Sequence, residues 1–365
     1  MPVRIMVPAL RCAGHPRRPS LRVTRDGLTK RFRNSPGPRR PACLDDIVTD
    51  WWVWSRSWQS AQYLTGVVVA VMAAVLATSA LAAPSAAWAM PAGAGAAQLN
   101  FAVRGGDLVD ASDGVQLWAK DLDVRRPMGS ITKVMTALVV LRAGKLNRKI
   151  RVTKAAVRYV SRNGASSAGL IAGDVLTARQ LLAAMLIPSG CDAAYLLATA
   201  YGPGRPAFIA KMNAMAVSLG MTSTHFSSFD GMPYPTEHST YSTPADLIRL
   251  GEQAMRVPLF RQIVAQRRYG LRDRDGHHAY LWIQTNKLIG SYRGAIGIKT
   301  GSTDAAGNCL MFEARRGKLT LIGVVLHARP TSNPGSAIVA ARRVLNWGFS
   351  RAPSGPALRP QHAAG

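Results

Sequence analysis

Met128 to Gly144 reads MGSITKVMTALVVLRAG. Met128, Ile131, Met135, Leu138 and Val139 recur at helical spacing, and Gly144 stops the run, so the stretch predicts a helix. Ser130-Ile131-Thr132-Lys133 opens it. Residues three apart share one helix face, which makes the Ser130 hydroxyl and the Lys133 ammonium neighbours. A serine hydroxyl is a poor nucleophile until a base takes its proton, and lysine serves as that base only when burial or another cation depresses its pKa. The helix N-terminus also offers backbone N–H groups to an oxyanion forming beside Ser130. Roughly one S-x-x-K is expected by chance in a chain of this length, so the element decides nothing alone.

Two further elements follow it. GAIGIKTGS, residues 294–302, is a strand ending in Lys299-Thr300-Gly301. Its glycine lets a ligand backbone approach, and its lysine supplies a charge for a carboxylate. The bland alternative is a strand end with a solvated lysine. LLAAMLIPSGCDAAYLLA, residues 181–198, places Ser189-Gly190-Cys191 between two helices. Such a loop can hold a hydroxyl in a cleft, although an ordinary helix-to-helix turn has the same composition. Lysine is scarce here, 10 of the 46 basic residues, which makes two lysines in chemically sensible triplets less casual.

In this order the three elements resemble the S-x-x-K, S-x-N and K-T-G set of the serine penicillin-recognising enzymes. The closer resemblance is to the low-molecular-weight DD-peptidases, the D-alanyl-D-alanine carboxypeptidases and transpeptidases. THFSSFDGM at 224–232 and YSTPADL at 241–247 agree with it, and the likeness runs from Asn100 to Phe349. It implies an α+β, penicillin-binding-protein/β-lactamase-like fold: an antiparallel sheet flanked by helices, with a mostly helical subdomain carrying Ser189 and a cleft between. It implies Ser130 as nucleophile, Lys133 as general base and Ser189 as a proton relay to the leaving D-Ala nitrogen. Lys299, with Thr300, Gly301 and Ser302, would receive the substrate, and the N–H groups of Ser130 and Ser302 would form the oxyanion hole. The implied substrate is a peptidoglycan stem peptide ending in D-Ala-D-Ala, with β-lactams as inhibitors and no cofactor or metal. Acyl transfer to water gives a carboxypeptidase; transfer to an amine gives a transpeptidase.

One residue departs from the pattern: Cys191 stands where the second motif usually has Asn. A thiol donates and accepts weakly where an amide does both well. Substrate positioning is therefore expected to differ from the Asn enzymes, as in a subgroup of small transpeptidases with Ser-Gly-Cys, and a thiol beside the acyl site predicts sensitivity to thiol reagents. A β-lactamase of the same fold is the nearest rival, but that class commonly needs a glutamate-activated water. Glu237, Glu252 and Glu313 sit in no recognisable loop motif for it. A non-catalytic wall-binding protein of the same fold is the other rival.

Outward from these motifs, Leu99 to Arg104 and Val115 to Ala119 predict a hairpin, joined across Gly105, Gly106 and Asp113-Gly114. Helices are expected at Thr177 to Ile187, Cys191 to Tyr201, Phe208 to Leu219 and Leu247 to Met255, the last capped by Thr243. Strands are expected at Gly294 to Thr300, Cys309 to Ala314 and Leu319 to His327, then a helix from Ser336 to Trp347. Strands at both ends with helices between predict one α+β domain whose terminal segments share a sheet.

Tyr63 to Ala89 is an apolar run without charge that ends in small residues, after an Arg-rich flank. It predicts export, as a signal peptide or an uncleaved anchor, with membrane contact in the second case. The expected division is 1–62, a basic extension that cannot build a core or follows a mis-assigned start; 63–89, the export segment; 97–350, the DD-peptidase domain; and 351–365, a disordered tail. The formal net charge of +27 favours polyanions, and export points to anionic wall polymers rather than nucleic acid. No phosphate loop or metal spacing occurs, and the histidines are expected at the surface or hydrogen-bonded. Tyr159, with Arg158 and Arg162, makes a basic patch that reads as a solvated helix face. Cys191 and Cys309 are too few for a disulfide framework.

Overall fold

The fold is given by a computed structural model that describes residues 101–273 and 276–351. The strands are β1 Gly105–Asp110, β2 Gln116–Lys120, β3 Lys149–Arg151, β4 Val175–Thr177, β5 Arg268–Leu271, β6 Tyr280–Ile283, β7 Ala295–Thr303, β8 Gly307–Arg316 and β9 Leu319–Ala328. The helices are α1 Lys133–Ala143, α2 Lys154–Asn163, α3 Ala178–Leu186, α4 Cys191–Tyr201, α5 Arg205–Ser218, α6 Pro244–Met255, α7 Pro258–Val264 and α8 Ser336–Arg351. A 3-10 turn, Gly129–Thr132, leads into α1.

Five strands form one antiparallel sheet in the order β2-β1-β9-β8-β7, so the two ends of the domain do share a sheet. Helix α8 covers one face, packing Ala341, Val344 and Leu345 with Leu108, Phe312 and Leu321. Helix α6 lies on the other face, where a Cβ on Gly251 would come within 3.0 Å of Ile322 Cδ1 and 3.1 Å of Met311 Sδ. Helices α1, α3, α4 and α5 build the helical part around Met135, Leu138, Leu182, Leu197 and Phe208, all buried. Two-stranded pairs β3–β4 and β5–β6 complete it.

Most local expectations hold. Helix α4 has the expected bounds. Thr177 caps α3 through a capping box with Gln180, and the Thr243 hydroxyl accepts from the Asp246 amide at 3.2 Å to start α6. The first hairpin is displaced. The opening strand is Gly105–Asp110 rather than Leu99 to Arg104, because the two glycines belong inside the strand and not in the turn. A Cβ on Gly106 would stand 2.7 Å from the Trp118 ring and 2.8 Å from the Val324 carbonyl, so only glycine lets the chain pass there. Helix α5 begins at Arg205, behind Gly204 and with Pro206 in its first turn, and α8 continues past Trp347 to Arg351. The expected segments 1–62 and 63–89, and the tail beyond Arg351, lie outside the described residues. Among the described residues no helix is long and apolar enough to cross a membrane.

Candidate active site

The chain enters the site through a tight approach of three backbone segments. Gly129 has φ +54°, and a Cβ on it would be 2.6 Å from the Ser302 amide nitrogen. A Cβ on Gly301 would be 2.2 Å from the Met128 carbonyl oxygen, and one on Gly231, at φ +87°, would be 2.0 Å from that of Gly129. No side chain fits at any of the three positions. The glycines of the GSITK, KTGS and DGM elements therefore press the start of α1 between the end of β7 and the 229–232 loop.

That compression sets the side chains. Ser130 is half-buried at the cleft, whereas Lys133 is wholly buried. The Lys133 Nζ donates to Ser130 Oγ at 2.6 Å and to the Asp230 carbonyl at 2.9 Å. The Asp230 carboxylate accepts from the Tyr159 hydroxyl at 3.0 Å and from the Met232 amide at 3.1 Å. Tyr159 packs on Tyr195 and Phe229. Burial first, then the Asp230 charge, pushes its phenol well above the usual tyrosine range, so it stays a donor. The reading of Tyr159 as part of a solvated face is thus corrected: Arg158 and Arg162 are exposed, but the ring between them turns inward to the loop that holds Lys133.

Ser189 sits in the turn between α3 and α4 at φ +69°, a conformation that costs a non-glycine residue energy and marks a position under constraint. Its carbonyl accepts from Ser166 Oγ at 2.6 Å. Cys191, wholly buried, opens α4 with Sγ 3.6 Å from Ser166 Oγ. Next to it the buried Asp192 carboxylate accepts from Ser167 Oγ at 2.8 Å and from the amides of Ala168, Leu170 and Ala193. Asp192 thereby staples the 165–170 loop onto α4 as one wall of the cleft. The Trp282 indole, donating to the Ala168 carbonyl at 2.8 Å, ties the wall to β6.

Lys299 lies on β7 with its Nζ on the Thr300 carbonyl at 2.9 Å, while Thr300 Oγ1 meets Thr285 Oγ1 at 2.8 Å. Burial, then the nearby Lys133 charge, holds the Lys299 ammonium well below the ordinary lysine range. The Cys191 thiol is pushed up by burial, with Lys133 acting against it. A buried, protonated thiol is a slow nucleophile, so the expected sensitivity to thiol reagents does not follow from this environment. Cys191 and Cys309 are both free and buried.

Ser130, Ser189, Thr300, Gly301 and Ser302 line one cavity of about 780 Å³, with Lys133, Cys191 and Lys299 buried in its walls. The sequence motifs therefore come together as expected. Asp230, Tyr159, Asp192 and Thr285 were missed as site residues. Asp230 and Asp192 stood in stretches already singled out, but nothing in a lone carboxylate signals a carbonyl or a capped loop as its use. Among the three glutamates weighed, Glu237 lines the cavity, its carboxylate accepting from the Ala305 amide at 3.3 Å. Glu252 and Glu313 do not line it.

Comparison with known proteins agrees with this geometry. The family described as D-alanyl-D-alanine carboxypeptidase matches residues 96–330. A D-alanyl-D-alanine carboxypeptidase of Streptomyces sp. strain K15 is 42% identical over 290 residues, covering 76% of this chain and 97% of that protein. The D-alanyl-D-alanine carboxypeptidase DacB2 of Mycobacterium tuberculosis is 34% identical over 258 residues, 71% of this chain and 84% of that protein. Among solved structures, the Streptomyces K15 DD-transpeptidase is similar with a TM-score of 0.64 at 41% identity, covering 68% of this chain and 97% of that one.

Proposed function

The chain belongs to the D-alanyl-D-alanine carboxypeptidase family of serine peptidases, and from that premise we propose how its own residues carry out the reaction. The activity is that of a serine-type D-alanyl-D-alanine carboxypeptidase/transpeptidase acting on peptidoglycan stem peptides, and its ligands include β-lactams. Ser130 Oγ attacks the penultimate D-Ala carbonyl and passes its proton to Lys133. The observation that carries this assignment is the 2.6 Å contact between Lys133 Nζ and Ser130 Oγ inside the cavity. A nucleophilic hydroxyl and its base must be within that reach for proton transfer.

The remaining roles follow from charge and position. Burial and then the neighbouring Lys133 lower the proton affinity of Lys299, and Lys133 must present a neutral amine to serve as the base. A substrate carboxylate arriving beside Lys299 favours its charged form. The amides of Ser130 and Ser302, brought close by Gly129, take the oxyanion. Ser189, at the cavity wall, returns a proton to the departing D-Ala nitrogen, and Thr300, Gly301 and Cys191 shape the bed on which the peptide lies. The acyl-enzyme on Ser130 is then resolved by water or an amine.

The enzyme works outside the cytoplasm, on the wall. We assign residues 63–89 to export or anchoring and 97–350 to the catalytic domain. The large positive charge suits contact with anionic wall polymers.

The test is the intact mass of the protein after incubation with benzylpenicillin, beside Ser130→Ala. One penicilloyl adduct on the wild type and none on the variant is the expected result. No adduct on either, at high drug and long times, would overturn the assignment.

A further inference from the structure

The catalytic cavity has two chemically different ends. Lys299 and Thr300, with Thr285 against Thr300 Oγ1, mark the end that receives the terminal carboxylate. Lys287, the one cation among the described residues in the cavity lining, stands two residues from Thr285. Strand β7 then runs past Ser302, whose amide takes the oxyanion, to Thr303 and a turn at 304–306 before β8 begins. A peptide with its last carboxylate at Lys299 and its reacting carbonyl at Ser302 has its earlier residues beyond Ser302. Extended chains advance about 3.3 Å per residue, so the residue ahead of the two D-alanines lies level with Thr303 and the turn.

Glu237 meets that turn from the other wall. Its carboxylate accepts from the Ala305 amide at 3.3 Å, and the residue lines the cavity, half-buried, with Met232 and Pro233 of the same loop. Among the described residues Glu237 forms no ion pair, in a chain where 46 lysines and arginines outnumber 19 acidic residues. A long bond from a neutral amide leaves the charge of the carboxylate uncompensated. The loop that presents it is tied down on both sides of Glu237. Thr240 Oγ1 accepts from the Ser227 amide at 3.0 Å and meets Ser227 Oγ at 2.8 Å, and the Ser239 hydroxyl accepts from the Thr236 amide at 3.1 Å. A charge held on a fixed loop gives up little freedom when its partner arrives.

We infer that Glu237 is a specificity-determining residue, receiving a cationic amine on the side chain of the residue ahead of the two D-alanines, as a diamino acid would supply. The inference rests on the function proposed above and deepens it by naming the class of donor. Met232 and Pro233 give apolar surface to the methylene stem that carries the amine. An amine acceptor would enter where the terminal D-Ala has left, at the Lys299 end, so the group that faces Glu237 belongs to the donor.

The experiment follows D-alanine release by the full chain from two peptides. One is Nα-acetyl-L-lysyl-D-alanyl-D-alanine; the other is the same peptide acetylated on its ε-amine as well, which removes the charge and keeps the stem. The wild type is expected to favour the free amine in kcat/KM by about fivefold at low ionic strength, the scale of one ion pair near the surface. The ratio falls as salt rises. It drops towards one in Glu237→Gln, which keeps the size of the side chain, and inverts in Glu237→Lys, with thermal melting curves showing that both variants fold. A ratio of one in the wild type, with turnover of both donors, would overturn the inference and leave the proposed function standing. No turnover of either donor, together with no penicilloyl adduct, would overturn both. A ratio unchanged in Glu237→Gln would remove Glu237 from the role.

Discussion

The Ser130 hydroxyl stands 2.6 Å from the Lys133 Nζ, whose other bond, at 2.9 Å, goes to the carbonyl of Asp230, 97 residues further along the chain. The lysine is therefore aimed from both sides. Lys133→Ala removes the proton acceptor and leaves the nucleophile in place. Acylation by benzylpenicillin is expected to slow by about 10²–10⁴-fold, the usual worth of a positioned base. Stopped-flow measurement of adduct formation checks this, and a rate within about threefold of wild type would remove Lys133 from the role.

Gly301→Ala tests the compression that forms the site. The added methyl would sit 2.2 Å from the Met128 carbonyl, so β7 and the start of α1 must part. Overpacking of this kind costs about 1–3 kcal/mol of stability. Displacing Ser302 from Ser130 should also lower acylation by about 100-fold, the scale of an ångström-sized misplacement. Chemical denaturation and adduct kinetics report the two effects separately.

Cys191 yields two linked expectations. Its full burial and raised pKa predict that iodoacetamide labels it far more slowly in the native enzyme than in the denatured one, as peptide mass mapping would show. Cys191→Asn places a strong donor and acceptor between Ser166 and Lys133. It is expected to change the split between hydrolysis and amine transfer, read from product ratios at fixed amine concentration. Rapid native labelling, or an identical split, would contradict the respective expectation.

The sheet carries a pH dependence of its own. Burial raises Glu313 to about 7, against the opposing charge of Arg261 and with Glu252 adding to the shift. Burial likewise raises Asp107 to about 6, with the Gln116 side chain opposing. A carboxyl raised in the folded state binds its proton more tightly there than in the unfolded chain. Its contribution is complete below the ordinary values of 3.8 for Asp and 4.5 for Glu, and is lost as pH climbs through 6 and 7. Glu313→Gln should therefore stabilise the protein at pH 8 by about 2 kcal/mol and bring little gain at pH 4.5. Melting curves at the two pH values give the comparison.

The catalytic motifs were legible because their chemistry is local. A Ser and a Lys three apart on a helix, or a Lys before a Gly at a strand end, state their relation in the sequence itself. Helix α4 was legible for the same reason, since its apolar spacing and flanking Gly190 and Gly202 are enough to bound it. The hairpin was misplaced because Gly106 looks like a turn residue until Trp118 is known to pack over it. Tyr159 misled because a ring between two arginines on an exposed helix gives no hint of a carboxylate 71 residues away. The pairs β3–β4 and β5–β6 are three or four residues long and show little alternation, so only their tertiary partners define them.

The strand order has a consequence for the time at which the protein can fold. Strand β1, among the first segments of the domain to be made, lies between β2 and β9 in the finished sheet. During synthesis it has a hairpin partner early, but its other edge stays vacant until Leu319–Ala328 has been made. Contacts of such long sequence separation form late and slowly. A ribosome-bound chain lacking its last segments therefore has no route to the native sheet. Its sheet stays incomplete until Leu319–Ala328 has been made, and a chain without its finished sheet is easier to thread through a translocation channel.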